Sequence, residues 1–258
     1  YGLFLHTALG TLLVGGGAGA LNQYIERSYD AMMKRTERRP LPAGRLQPLE
    51  VAIFGMTISI LGILELSCFA NLLTGFLAAL TWTTYLFLYT PLKRVSPLST
   101  VIGGIPGALP PVMGWTAVRN GLSSEAWVLF AILFLWQMPH FFSLAWMYRR
   151  DYARAGFKIL TVSDTSGQRT SRQIFWYTLA LIPASISPAF LGMTGLYSTV
   201  GALLLGFGFL MFGVMLLRFS ALEGAEAIGK FNSYSRRMFF ASLLYLPLLM
   251  LLMTIDKL

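Results

Sequence analysis

Eight stretches of roughly 20 largely apolar residues, each enough to cross a bilayer, recur along this chain, near 2–21, 49–67, 70–90, 98–118, 125–147, 173–192, 196–217 and 237–255. No other feature narrows the fold so far. The lipid core holds no water to satisfy backbone N–H and C=O groups, so a crossing segment must be a helix or a strand of a closed barrel. These stretches are too long for barrel strands and lack their alternation of apolar and polar residues. Composition agrees: 12% of residues are charged and mean hydropathy is +0.63, where a soluble domain carries about 25% charged residues. The expected fold is all-α, a polytopic membrane helical bundle with eight visible spans.

The connections alternate in character. Polar loops occupy 22–48, 91–97, 148–172 and 218–236, whereas 68–69, 119–124 and 193–195 are short and nearly uncharged. All but two of the 20 Lys and Arg residues, Arg119 and Lys257, fall in the polar loops or at their edges. Basic residues are retained on the cytoplasmic side, so the four polar loops are expected there. The net charge of +9 then records topology, and no nucleic-acid partner is implied. Inside the spans, Gly15 and Gly19, like Gly103 and Gly107, have the GxxxG spacing that lets helix backbones approach. Pro106, Pro110 and Pro111 each remove a backbone donor, which predicts a kinked or unwound fourth span. The one cysteine, Cys68, excludes an intramolecular disulfide and reads as a small packing residue.

The run "NQYIERSYDAMMKRTERRPLPAGR", residues 22–45, concentrates charge in a chain that has little. If the first helix continues past Leu21, steps of four residues advance about 40° net, so Asn22, Glu26 and Asp30 lie within roughly 80° on one face. Three oxygen-bearing side chains at the polar end of a membrane helix could hold Mg²⁺, which takes oxygen ligands and bridges to phosphate. They could equally be a solvated helix end, with Glu26 paired to nearby arginines. Two further loops on the same expected side bear on this. "DYARAGFK" offers Asp151, Arg154 and Lys158 at i, i+3 and i+7, a spacing that permits one helix face. "YTPLKR" offers Tyr89, Lys93 and Arg94. Carboxylates for a cation beside Arg and Lys for phosphate oxygens, next to an apolar interior, fit a metal–diphosphate with a hydrophobic tail. Neutralising such a diphosphate makes it a good leaving group, and aromatic faces could shelter the allylic cation left behind.

A last feature is "WQMPHFFSLAW", which puts His140 and Gln137 beside Pro139 inside the fifth span. Ionisable residues within spans tend to face a cavity or the bundle interior. His140 could ligate a porphyrin iron, pair with a substrate carboxylate, act as a base, or satisfy a carbonyl freed by Pro139. His6 lies toward the other end of the first span.

Five ordered motifs, "NQYIERSYDAMMKRTERRPLPAGR", "YTPLKR", "GGIPGALPPVMGW", "WQMPHFFSLAW" and "DYARAGFK", span nearly the whole chain. Together they resemble the heme-modifying branch of the UbiA superfamily of intramembrane prenyltransferases. The resemblance implies a UbiA-type prenyltransferase fold of nine helices in a single transmembrane domain covering residues 1–258, with one further helix expected ahead of Tyr1. It implies transfer of a farnesyl group from farnesyl diphosphate to a vinyl group of heme B, with addition of water, giving heme O for heme-copper oxidases. Heme B is then a substrate, Mg²⁺ the cofactor, and a heme A synthase or oxidase assembly factor a downstream partner. Asn22, Glu26, Asp30 and Asp151 match the metal and catalytic positions. Tyr89, Lys93 and Arg94 match the loop between the two acidic motifs and His140 a feature of the heme branch; Arg35, Arg154 and Lys158 are the further candidates for the diphosphate, and Gln137 for the heme side. Many superfamily members have a second acidic residue four after the Asp151 position; Ala155 stands there, so the number of metal ions is open. The rival readings are a prenyltransferase for an aromatic quinone precursor and a transporter of an anionic amphiphile. The expected location is the bacterial plasma membrane, with the mitochondrial inner membrane as the alternative.

Overall fold

The computed structural model describes residues 1–258 and is almost entirely helical. The helices are α1 (Gly2–Asp30), α2 (Pro48–Phe69), α3 (Leu72–Thr83), a π-helical turn (Thr84–Tyr89), α4 (Thr90–Leu92), α5 (Ser99–Arg119), α6 (Ser124–Met147), α7 (Arg149–Arg154), α8 (Leu160–Ser163), α9 (Gln168–Phe190), α10 (Leu196–Ser220) and α11 (Ala225–Ile255). Seven segments are long and apolar enough to cross a membrane: α1, α2, Leu72–Leu92, α5, α6, α10 and α11. The eighth expected span, near 173–192, is the 23-residue helix α9. It has the length, but Arg169, Arg172 and several Ser and Thr residues lower its hydropathy.

The chain divides into two compact units. One comprises residues 1–126 and 150–159, the other 127–149 and 160–258. In the first unit α1 and α2 pack along their lengths, and α3 packs on α2 and α5. The glycines that make this possible are not the GxxxG pair. Gly15 and Gly19 face open space, while a Cβ on Gly17 would lie 2.6 Å from the Gly55 carbonyl and one on Gly62 would lie 2.7 Å from the Gly10 carbonyl. Positions 10 and 17 are seven residues apart, close to two full turns, so they stay on one face.

The prolines of α5 do not unwind it, for the helix is continuous from Ser99 to Arg119 with all three inside. Cys68 is exposed near the end of α2 rather than packed. His6 Nδ1 donates to the Glu65 carboxylate at 2.7 Å and the ring stacks on Phe69, so it is satisfied where it sits.

In the second unit α10 packs against both α9 and α11. The polar stretch 218–236 is mostly not a loop, since α11 begins at Ala225 and runs 31 residues. Asp164 organises the start of α9. Its carboxylate accepts hydrogen bonds from the Gly167 N–H at 3.1 Å, the Thr170 N–H at 2.7 Å and the Thr170 hydroxyl at 2.8 Å. These satisfy donors that the first turn of a helix leaves unpaired. Asp164→Ala is expected to cost about 2 kcal/mol, lowering the apparent melting temperature in detergent by roughly 4–8 °C. An unchanged melting curve would mean that water replaces the carboxylate without loss.

Candidate active site

The site in the first unit starts from helix α1, which does continue past Leu21 and ends at Asp30. Asn22, Glu26 and Asp30 are 8%, 4% and 1% exposed, so the whole stack is buried and the solvated-end reading fails. Each member meets a partner. The Asn22 amide donates to the Thr90 hydroxyl at 3.0 Å. Lys93 Nζ lies 2.6 Å from Glu26 Oε1 and donates to Oε2 at 2.7 Å. Arg39 donates to Asp30 Oδ2 at 2.9 Å. Removing a Lys–Glu pair from water costs several kcal/mol per ion, so such a pair is a poor source of stability.

Local sequence explains how Lys93 arrives. Pro91 has no N–H and its ring crowds the carbonyl four residues back, and the helix widens just before it into the π-turn Thr84–Tyr89. The Thr90 hydroxyl also donates to the Tyr85 carbonyl at 2.9 Å. Widened turns of this kind recur at functional sites; here the extra residue per turn rotates the "TPLKR" segment relative to the helix before it. The Tyr89 ring lies against Gly103 of α5, where a Cβ would fall 2.5 Å from it. Lys93 Nζ sits 4.8 Å over the Tyr89 ring and 5.7 Å from that of Phe157.

The third loop joins the other two by direct contacts. The Lys158 N–H donates to the Lys93 carbonyl at 2.9 Å. Arg35 donates to the Tyr152 hydroxyl at 3.0 Å, and the Tyr29 and Phe157 rings are 5.6 Å apart. Arg94 lies 4.0 Å over the Tyr29 ring, donates to the Ile25 carbonyl at 3.3 Å, and keeps a buried Nε without a hydrogen-bond partner. Arg154 approaches Asp151 at 3.5 Å, as the i, i+3 spacing requires. Lys158 does not share their face. Helix α7 ends at Arg154, and Gly156, at φ +73°, takes the left-handed conformation that turns the chain away.

No group of three or more His, Cys, Asp or Glu side chains comes together closely enough to hold a metal ion by itself. Glu26 Oε1 is buried, and a cation, the Lys93 ammonium, already lies 2.6 Å from it. His140 and Gln137 belong to the second unit, where Gln137 is 3% exposed.

Four residues of this cluster escape a reading of spacing alone: Thr90, Arg39, Tyr152 and Phe157. All four sit inside motifs already singled out. Spacing does not pair Arg39 with Asp30, because residues 31–45 form successive turns with no helical period.

A bundle of membrane helices that buries carboxylates and cations together, ringed by aromatic side chains, defines an integral membrane protein with a buried charged cluster. The family model described as the UbiA prenyltransferase family matches residues 1–253. The chain therefore belongs to the UbiA prenyltransferase family. A relative named protoheme IX farnesyltransferase, from Solibacter usitatus (strain Ellin6076), is 50% identical over 253 residues, covering 98% of this chain and 83% of that protein. A second of the same name, from Koribacter versatilis (strain Ellin345), is 43% identical over 98% of this chain and 80% of its own length. Among solved structures, one described as concerning digeranylgeranylglyceryl phosphate synthase in membranes matches with a TM-score of 0.78 at 15% identity, covering 98% of this chain and 84% of that one. That likeness bears on the fold.

Proposed function

We infer that this prenyltransferase moves the farnesyl group of farnesyl diphosphate onto protoheme IX, forming heme O. The observation that carries this reading is the 50% identity, over 98% of the chain, to a protein named protoheme IX farnesyltransferase. The buried cluster supplies the chemistry. Glu26 and Asp30, with Asn22 and Asp151, would hold Mg²⁺. The ion would neutralise charge that develops on the departing diphosphate.

Lys93 pairs with Glu26; its ammonium would be offered to a phosphate oxygen, with the Glu26 carboxylate given to the cation. Arg94, Arg35, Arg154 and Lys158 take the remaining phosphate oxygens, with Tyr89 beside them. The Tyr29, Tyr89 and Phe157 rings shelter the allylic cation and keep water from it. His140 and Gln137 serve the heme.

Residues 1–258 make up a single transmembrane prenyltransferase domain in this reading. The four polar segments face the cytoplasm, following their basic residues, and the membrane is the bacterial plasma membrane. The product supplies heme-copper oxidases, directly or after conversion to heme A.

Incubating the full-length protein with heme B, farnesyl diphosphate and Mg²⁺, followed by mass spectrometry of the extracted hemes, tests the reading. A heme heavier by one farnesyl group and one hydroxyl is expected. Unmodified heme from a preparation that prenylates an aromatic acid would replace heme with a quinone precursor. For His140→Ala the KM for heme should rise by more than the roughly 10–100-fold that loss of a ligand's outer-shell partner costs, with the KM for farnesyl diphosphate unchanged. A rise confined to farnesyl diphosphate would move His140 to the other substrate.

A further inference from the structure

His140 does not satisfy a carbonyl freed by Pro139; it reaches across to another helix. Its Nδ1 lies 2.8 Å from the hydroxyl oxygen of Ser242 in α11. Ser242 is fully buried. The same hydroxyl lies 2.5 Å from the carbonyl oxygen of Phe239, a group that only accepts. Ser242 has one hydroxyl proton, and the Phe239 carbonyl takes it. The Ser242 oxygen can therefore only accept from His140, which places the imidazole proton on Nδ1.

The neutral ring then carries its lone pair on Nε2, which makes no hydrogen bond. Several contacts hold the ring in that orientation. Trp136, one turn earlier on α6, stacks on it with centroids 5.3 Å apart, and Phe239 lies against it at 4.8 Å. Trp136 Nε1 donates to the Ser242 carbonyl at 2.8 Å. Ser242 thus receives one bond from each of two residues on α6 and fixes both.

We propose that Ser242 is a positioning residue that locks His140 as the Nδ1–H tautomer, so that Nε2 is presented as an axial ligand to the iron of the heme substrate. A neutral imidazole nitrogen is a common metal ligand, and a ligating histidine usually donates its other N–H to a fixed acceptor. No proton moves and no bond within the porphyrin breaks; the Nε2 pair is donated to iron. The inference rests on the heme reading above.

The chain contains only two histidines, so ¹⁵N-histidine labelling of the whole protein, with His6→Gln for assignment, reports the His140 tautomer directly. Protonation at Nδ1 is expected in the heme-free protein; protonation at Nε2 would overturn the proposal even if every Ser242 variant failed to fold. Titration of heme B, followed by its Soret band, supplies the second arm. Wild type and Ser242→Thr should show the same histidine-ligated band. Ser242→Ala should bind heme about 10–100-fold more weakly, as loss of an outer-shell partner does, with farnesyl diphosphate affinity unchanged. A Soret band identical in wild type and His140→Ala, from protein that still farnesylates heme, would sink the ligand assignment and spare the function. Wild-type protein that neither binds nor modifies heme would sink the function itself.

Discussion

Asp30→Asn is expected to lower the rate of heme farnesylation by about 10²–10³-fold, the size of effect seen when one preorganised electrostatic group is removed from an active site. The substitution keeps the shape of the side chain and removes its charge. Asp30 is the most deeply buried carboxylate of the cluster, at 1% exposed. Its partner Arg39 is 36% exposed, so once unpaired that guanidinium can turn to water and the fold is retained. Steady-state kinetics on protein that elutes as a single species in detergent would separate the two effects. The loss should fall on kcat and on the Mg²⁺ concentration needed for half-maximal rate. Near-normal turnover would remove Asp30 from the cation site and leave it as a partner for Arg39 alone.

Gly17→Val is expected to destabilise the first unit strongly. A Cβ at position 17 would collide with the Ser59 hydroxyl, lie 2.6 Å from the Gly55 carbonyl and 3.0 Å from the Ser59 nitrogen. Two of these are backbone atoms and cannot rotate away, so α1 and α2 must separate along their contact. Overpacking of this kind costs about 3 kcal/mol, which corresponds to an apparent melting temperature lower by roughly 6–12 °C. The charged stack hangs from the C-terminal end of the same helix, so activity should fall with the fold. Gly15→Ala and Gly19→Ala are the controls, since nothing lies within 4 Å of a Cβ at either position. If Gly17→Val melts with wild type while Gly15→Ala does not, the assignment of the helix contact is reversed.

These glycines also show where sequence spacing stops being informative. GxxxG marks a pair of small residues, but it does not say which face of α1 meets α2; that depends on the rotation of one helix against another. The same holds for α5. Three prolines predict disruption, yet the helix continues, because a membrane helix can re-satisfy freed carbonyls through its neighbours. In the polar stretches the difference runs the other way. Residues 225–236 read as loop from their charge, but they continue α11, since polar side chains cost a helix nothing once it leaves the lipid.

The charged stack was legible because it is local: Asn22, Glu26 and Asp30 share a helix, and four-residue steps keep one face. "YTPLKR" and "DYARAGFK" were legible as fragments with complementary charge. Their joining was not, because the Lys158 N–H to Lys93 carbonyl bond and the Arg35–Tyr152 bond link positions far apart in the chain. The pairing of Lys93 with Glu26 and of Arg39 with Asp30 arises only once the π-turn and the turns after Asp30 have set the directions of those chains.

By itself the sequence determined the solvent, the helical class and the chemistry available to this protein: long apolar runs admit only membrane helices, and the few charges they tolerate mark the site. Tertiary structure decided which of those charges meet, and which nitrogen of His140 is left free, because partner choice depends on distances between helices that no periodicity within one helix contains.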